Sequence, residues 1–152
     1  MFTACFDASG TVHDKNTPHM IMAGYLARTD QWISFEKQWL ARLKIDNIAY
    51  FRRSECASNT GQFAGWDKKP KAKKNKLLRD LIGIINHTTI CKTGCIVENR
   101  ILKATLSQEI ETQFHLHAYA FTGIVSVSEL YKWRDREQID APIECVPSVS
   151  LS

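Results

Sequence analysis

The sequence predicts an α/β domain, with helices packed on a mixed β-sheet. Two observations carry that expectation. Apolar and polar residues alternate at strand period near the N-terminus, and later segments switch to helical spacing and back. The resulting order is strand, strand, helix, short strand, helix, strand, helix, strand, and interleaving of this kind suits a layered α/β domain. At 152 residues the chain supports one core and is short for two, so a single domain over 1–152 is expected.

The first strand covers residues 2–7, FTACFD. Phe2, Ala4 and Phe6 share one face and Thr3, Cys5 and Asp7 the other, and Ser9-Gly10 supplies turn chemistry. Residues 20–27, MIMAGYLA, read as a second, more fully buried strand antiparallel to the first, with Gly24 marking a bulge. In TDQWISFEKQWLARLK, Trp32, Phe35, Trp39, Leu40 and Leu43 recur at helical spacing behind a cap from Thr29 or Asp30. The aromatics of that helix belong in the core. A short strand near Ile48–Arg52 and a long loop follow, a length that marks a functional or mobile segment. Leu77, Leu78, Leu81, Ile82 and Ile85 define a second amphipathic helix with Pro70 near its start. Residues 90–98, ICKTGCIVE, read as a strand, 100–112 stay ambiguous, and 113–134 form a long helix apolar on most sides. Pro142 opens a last strand, IECV.

Composition narrows the class. Hydrophobic residues at 44% and charged ones at 24% are ordinary for a soluble globular domain. No apolar run reaches membrane-spanning length, and the N-terminus has no basic region followed by a long apolar stretch, so neither a membrane span nor a secretory signal is expected. Cys5, Cys56, Cys91, Cys95 and Cys145 read as free thiols in a cytoplasmic setting.

Net charge is only +4, but its placement is uneven. Lys68, Lys69, Lys71, Lys73, Lys74 and Lys76 crowd the start of the second helix, an end where the helix dipole already favours anions. With Arg52, Arg53, Phe63 and Trp66 they interleave cations and aromatics, a pattern compatible with gripping a nucleic-acid backbone and stacking on bases. A solvated lysine face is the plainer alternative. His87, Cys91 and Cys95 fall at four-residue spacing, yet their β-branched neighbours argue for a strand, which scatters that face and discounts zinc. His115 and His117 stand about 200° apart on a helix and cannot easily share one metal. The chain has neither a Gly-rich phosphate loop nor a Gly-x-Ser-x-Gly elbow.

Three segments, FDASG, AGYLARTDQWISFEKQWLARL and AYFRRSECASNTGQFAGWD, lead into the Leu/Ile-rich helix in a characteristic order. Together they resemble the bacterial family called domain of unknown function 3800, over about residues 2–146. Members open with an apolar strand ending in Asp-Glu-Ser-Gly, and the family has a ribonuclease H-like fold with an N-terminal Asp-Glu and a C-terminal Gln-x-x-Asp motif. The resemblance implies a ribonuclease H-like sheet and a nuclease-like hydrolase that cleaves phosphodiesters with Mg²⁺ or Mn²⁺ held by carboxylates. Asp7 would be a metal ligand and catalytic group, Glu55 in RRSEC a second catalytic carboxylate, and Glu98 and Glu144 further metal ligands. Arg52, Arg53, Lys68, Lys69, Lys71, Lys73 and Lys74 would hold nucleic acid.

The sequence also departs from that family. The motif glutamate is Ala8, and Gln138-Ile139-Asp140 has the wrong spacing and precedes the last strand. The chain stops at PSVSLS where members continue, so the fold is expected to be incomplete at the C-terminus. Weak or absent catalysis is the consequence, since positioned metals need those contacts. Each carboxylate also has a structural reading: Asp7 in an Asx-type turn with the Ser9-Gly10 amides, Asp14 solvated, Glu55 in an ion pair with Arg52 or Arg53. The alternative function is a non-catalytic nucleic-acid-binding or protein-interaction module. A further alternative is a homodimer through an exposed sheet edge.

Overall fold

The alternation at the N-terminus yields strand β1 (Phe2–Ser9), which lies inside a four-stranded mixed sheet. The computed structural model describes residues 1–10, 18–68, 70–98, 100, 101, 104 and 114–147, with backbone alone at 114–119 and 147. Strand β2 (His19–Arg28) pairs antiparallel with β1, and β3 (Cys91–Glu98) antiparallel with β2. Strand β4 (Ile143–Pro147) pairs parallel with β1, so the order is β3-β2-β1-β4. A parallel return needs a crossover, and helix α4 (Phe114–Arg136) precedes it in the chain and packs on β2 and β3. The expected helices and strands therefore form an α/β arrangement around a mixed sheet.

The chain divides into two compact units. The sheet unit comprises Met1–Arg28 and Ile90–Ser152, and the helical unit, Thr29–Thr89, is inserted between β2 and β3. In the sheet unit Ala4, Phe6, Met22, Leu26, Leu130 and Ile143 make the core, with Val127 and Trp133 packed against it. Gly24 does not bulge: the β1–β2 register runs unbroken past it, opposite Phe6. A Cβ there would stand 2.5 Å from Phe6 Cδ1 and 2.8 Å from the Cys5 carbonyl, so the absent side chain is what admits the Phe6 ring.

The helical unit contains α1 (Thr29–Ile45), α2 (Arg53–Ser58), two short 3-10 turns (Gly61–Phe63 and Trp66–Lys68) and α3 (Lys71–Thr88). No strand forms at 48–52. That segment has no neighbouring strand, and the Gln62 side chain takes the part of one: it accepts from the Ala49 N–H at 2.6 Å and donates to the Tyr50 carbonyl at 3.2 Å. The expected long loop is thus largely structured. A run of rings threads the unit, Trp32–Phe35–Trp39–Phe51–Phe63–Trp66, with successive centroids 5.5, 5.1, 6.1, 5.9 and 5.1 Å apart. Leu43, Ile48, Cys56, Leu77 and Leu81 fill in around it.

Charge also joins α1 to α3. Buried Arg42 donates through Nε to Asp80 at 2.7 Å and through Nη1 to Asp46 at 2.8 Å, while Lys73 meets Asp46 at 2.9 Å and Lys76 meets Asp80 at 2.9 Å. Burial pushes the Asp46 carboxyl up, but hydrogen bonds from Lys73 and Arg42 outweigh it and hold the group below its ordinary 3.8. Asp80 is held down by its hydrogen bonds from Lys76 and Arg42. A carboxyl depressed in the folded state stabilises above the unfolded value and loses that contribution as pH falls through the folded one. Urea unfolding should therefore show stability declining as the medium is acidified below 3.8. Arg42→Met should cost on the order of 2 kcal/mol at neutral pH through its bond to Asp46 alone, and should flatten that acid limb.

Candidate nucleic-acid interface and the open face of the sheet

Strand alternation decides where Asp7 points. Ala4 and Phe6 face the core, so Thr3, Cys5 and Asp7 face the other way, and Asp7 is exposed. Ala8 falls back on the core side, half-buried against the apolar cluster. Positions 7 and 8 therefore lie on opposite faces of the sheet.

Glu144 and Glu98 share the face of Asp7, because Glu144 pairs with Thr3 and Glu98 with His19. The register nevertheless keeps them apart. Asp7 pairs with Ala23 and Ala23 with Gly94, so Glu144 is four residues along and one strand across from Asp7, and Glu98 is four along and two strands across. At strand spacing those are Cα separations of about 14 Å and about 16 Å. Two-metal sites hold ions about 4 Å apart. Among the described residues there is no group of three His, Cys, Asp or Glu side chains able to hold a metal ion. The described β1–β4 pairing ends at Phe6 and Pro147, one residue short of Asp7, and Asp14 lies outside the described residues. Burial, followed by the charge of Glu144, pushes the Cys5 thiol up, so this face offers no ready thiolate.

Glu55 belongs to the helical unit and organises its backbone. The carboxylate accepts from the Tyr50 hydroxyl at 3.2 Å and from the Gln62 N–H at 3.4 Å, and faces Arg52 Nη1 at 3.6 Å. Its carbonyl accepts the Thr60 N–H and that of Asn59, the left-handed residue closing α2. Gly61, at φ +53°, passes so close that any Cβ would overlap the carboxylate. The ion-pair reading of Glu55 is the one this geometry realises.

The cations are partitioned unevenly. Twelve of the 20 Lys and Arg residues but only six of the 16 acidic ones lie in Thr29–Thr89, a net charge of +6 against −2 for the rest. Helix α3 starts after Pro70 with no side-chain cap and no acid in its first turn. Lys73 is compensated, paired with Asp46 and lying 5.0 Å over the Trp66 ring. Lys74 donates to the Asn59 amide oxygen at 2.8 Å, which ties the first turn of α3 to the end of α2 while leaving the ammonium charge uncancelled. Arg53, Lys68 and Lys71 are exposed and make no ion pair with a described acid. Arg52 lies 5.8 Å over Tyr50, and Lys69 lies outside the described residues.

The aromatic half of the expected pattern is not at the surface. Phe63 is fully buried and Trp66 is 5% exposed, so neither can stack on a base. Tyr50, 48% exposed beside Arg52 and Arg53, is the aromatic that remains accessible at this end. Its place two residues before the Arg pair is the sequence signal for it. Cys91 and Cys95 lie on β3, paired with Leu26 and Met22, and His87 lies on α3, so the four-residue spacing does not place the three on one helix face. None of the described helices is long and apolar enough to cross a membrane.

Comparison with protein-family models, with curated proteins and with solved structures finds no match.

The packing of Gly61 on Glu55 makes a coupled prediction. Gly61→Ala should cost about 1–3 kcal/mol in urea unfolding, and the same change in a Glu55→Ala background should cost distinctly less. Equal costs would mean that the carboxylate does not occupy this position.

Proposed function

We propose that this chain is a nucleic-acid-binding module built on a ribonuclease H-like sheet, and that its helical unit grips the phosphate backbone without stacking on bases. The observation that carries the reading is the charge partition, with Lys68 and Lys71 exposed and uncompensated at the uncapped start of α3 and Arg53 likewise at the start of α2. A cluster of this kind attracts a polyanion by counterion release and needs no sequence readout. Burial of Phe63 and Trp66 favours backbone contact over single-strand stacking. The sheet supports the architectural part: an antiparallel meander β1-β2-β3 followed by a helix and a strand parallel to β1 is what a ribonuclease H-like reading requires.

A second reading, in the domain of unknown function 3800 family, is a weakened metal-dependent nuclease using Mg²⁺ or Mn²⁺ at Asp7. It is favoured by the exposure of Asp7 on the same face as Glu98 and Glu144. The separations along that face and the placement of Ala8 favour the binding module instead.

Fluorescence anisotropy with a short DNA duplex and the matching single strand tests both. The duplex should bind at least as well as the single strand, and log K should fall with log salt by about 0.9 per phosphate contacted. Reversing Arg53, Lys68 and Lys71 to Glu should remove most of that slope, while Asp7→Asn should leave binding unchanged. Binding indifferent to salt and to the reversals would overturn the module. Manganese-dependent cleavage lost in Asp7→Asn would establish the nuclease.

A further inference from the structure

Helix α1 buries one face and presents a second, differently composed stripe. Trp32, Phe35, Trp39 and Leu43 turn toward the aromatic run and the core around it. Ile33, Lys37, Leu40 and Lys44 recur at intervals of four, three and four residues on the outside, and Ile33 is 63% and Leu40 54% exposed. Glu36 borders this stripe on the side of the buried face. Neither Lys37 nor Lys44 pairs with an acid among the described residues.

The stripe runs into an open cleft of about 370 Å³ lined by Leu40, Lys44, Asn47, Ile48, Ala49 and Gln62. Its walls are fixed rather than loose. Ile48 is buried and its N–H bonds to the Leu43 carbonyl at 3.1 Å, Asn47 reverses the chain at φ 56°, and Gln62 is pinned by Ala49 and Tyr50. Apolar side chains from Leu40, Ile48 and Ala49 alternate in the lining with polar Asn47 and Gln62, and with a fixed floor and the flanking Lys44 they make a recognition groove that suits an amphipathic helix face.

We propose that this surface docks an acidic amphipathic helix from another protein. An apolar side chain of the partner enters the cleft between Leu40 and Ile48, and a second, seven residues away on the partner, covers Ile33. Ile33 and Leu40 are themselves seven residues apart, about 10.5 Å of helix, which is the reach of such a pair. Carboxylates between the two anchors meet Lys37 and Lys44. Charge complementarity selects the occupant: a second copy of this unit, at net +6, would bring like charge to the stripe.

A synthetic helix-forming peptide with leucines at i, i+3 and i+7 and glutamates between them tests this on the full chain. Its counterpart with every glutamate replaced by lysine serves as the comparison, and amide chemical shifts locate binding. The acidic peptide should perturb residues 33–49 and Gln62, and the pair Lys37→Glu and Lys44→Glu should weaken it at least tenfold. Leu40→Ser, at an exposed position, should weaken it as well. Reversal of Arg53, Lys68 and Lys71 should leave peptide binding intact, which separates this surface from the proposed nucleic-acid interface. Equal binding of the lysine peptide, absence of shifts at these residues, or a homodimer abolished by Leu40→Ser would each overturn the proposal.

Discussion

The ring-to-ring run from Trp32 to Trp66 fixes what the helical unit can present. Edge-to-face contacts of this type add about 0.5–1.5 kcal/mol each beyond burial, and here they link α1, the segment before α2 and both 3-10 turns into one core. Phe63 and Trp66 must face inward to continue the run. The lysines that follow them in the chain are then left outside or, like Lys73, held against the Trp66 ring and Asp46. The packing that stabilises the unit thus takes Phe63 and Trp66 off its surface and leaves cations there.

Arg42 completes that unit in a different way. A guanidinium at this depth is tolerable because two carboxylates from different elements share it, and each carboxylate is shared in turn with a lysine of α3. Lysine-rich sequence at the start of α3 therefore serves two ends. Lys73 and Lys76 are paired internally, and Lys68 and Lys71 stay exposed without an ion pair to a described acid. A count of basic residues does not distinguish the two groups; their partners do.

In the sheet unit the governing constraint is register. Alternation along β1 delivers Asp7 to the open face, and the same alternation sends Ala8 to the apolar side. Pairing then places Glu144 and Glu98 on the face of Asp7, each four residues away along the sheet. Sharing a face is a matter of parity, whereas sharing a cation is a matter of distance. Parity is satisfied here, and for these three carboxylates distance is not.

Much of the architecture was legible because it depends on local period. The alternation of Phe2, Ala4 and Phe6, the helical recurrence of Trp32, Phe35 and Trp39, and the strand chemistry of 90–98 each name their element with little help from the rest of the chain. The passage 46–67 differs from the strand and long loop its sequence predicts because its order comes from contacts that no periodicity encodes. Gln62 substitutes for a strand neighbour, Asn59 takes a left-handed turn, and Glu55 closes on Gly61. By itself the sequence determined β1 to β4, the three long helices and the excess of cations, since all three are written in residue type and spacing. Tertiary structure alone decided which cations stay uncompensated, that Phe63 and Trp66 go inside, and how far Asp7 stands from Glu98 and Glu144. The reason is physical: burial, pairing and distance are relations between segments remote in sequence, and they exist only once those segments have met.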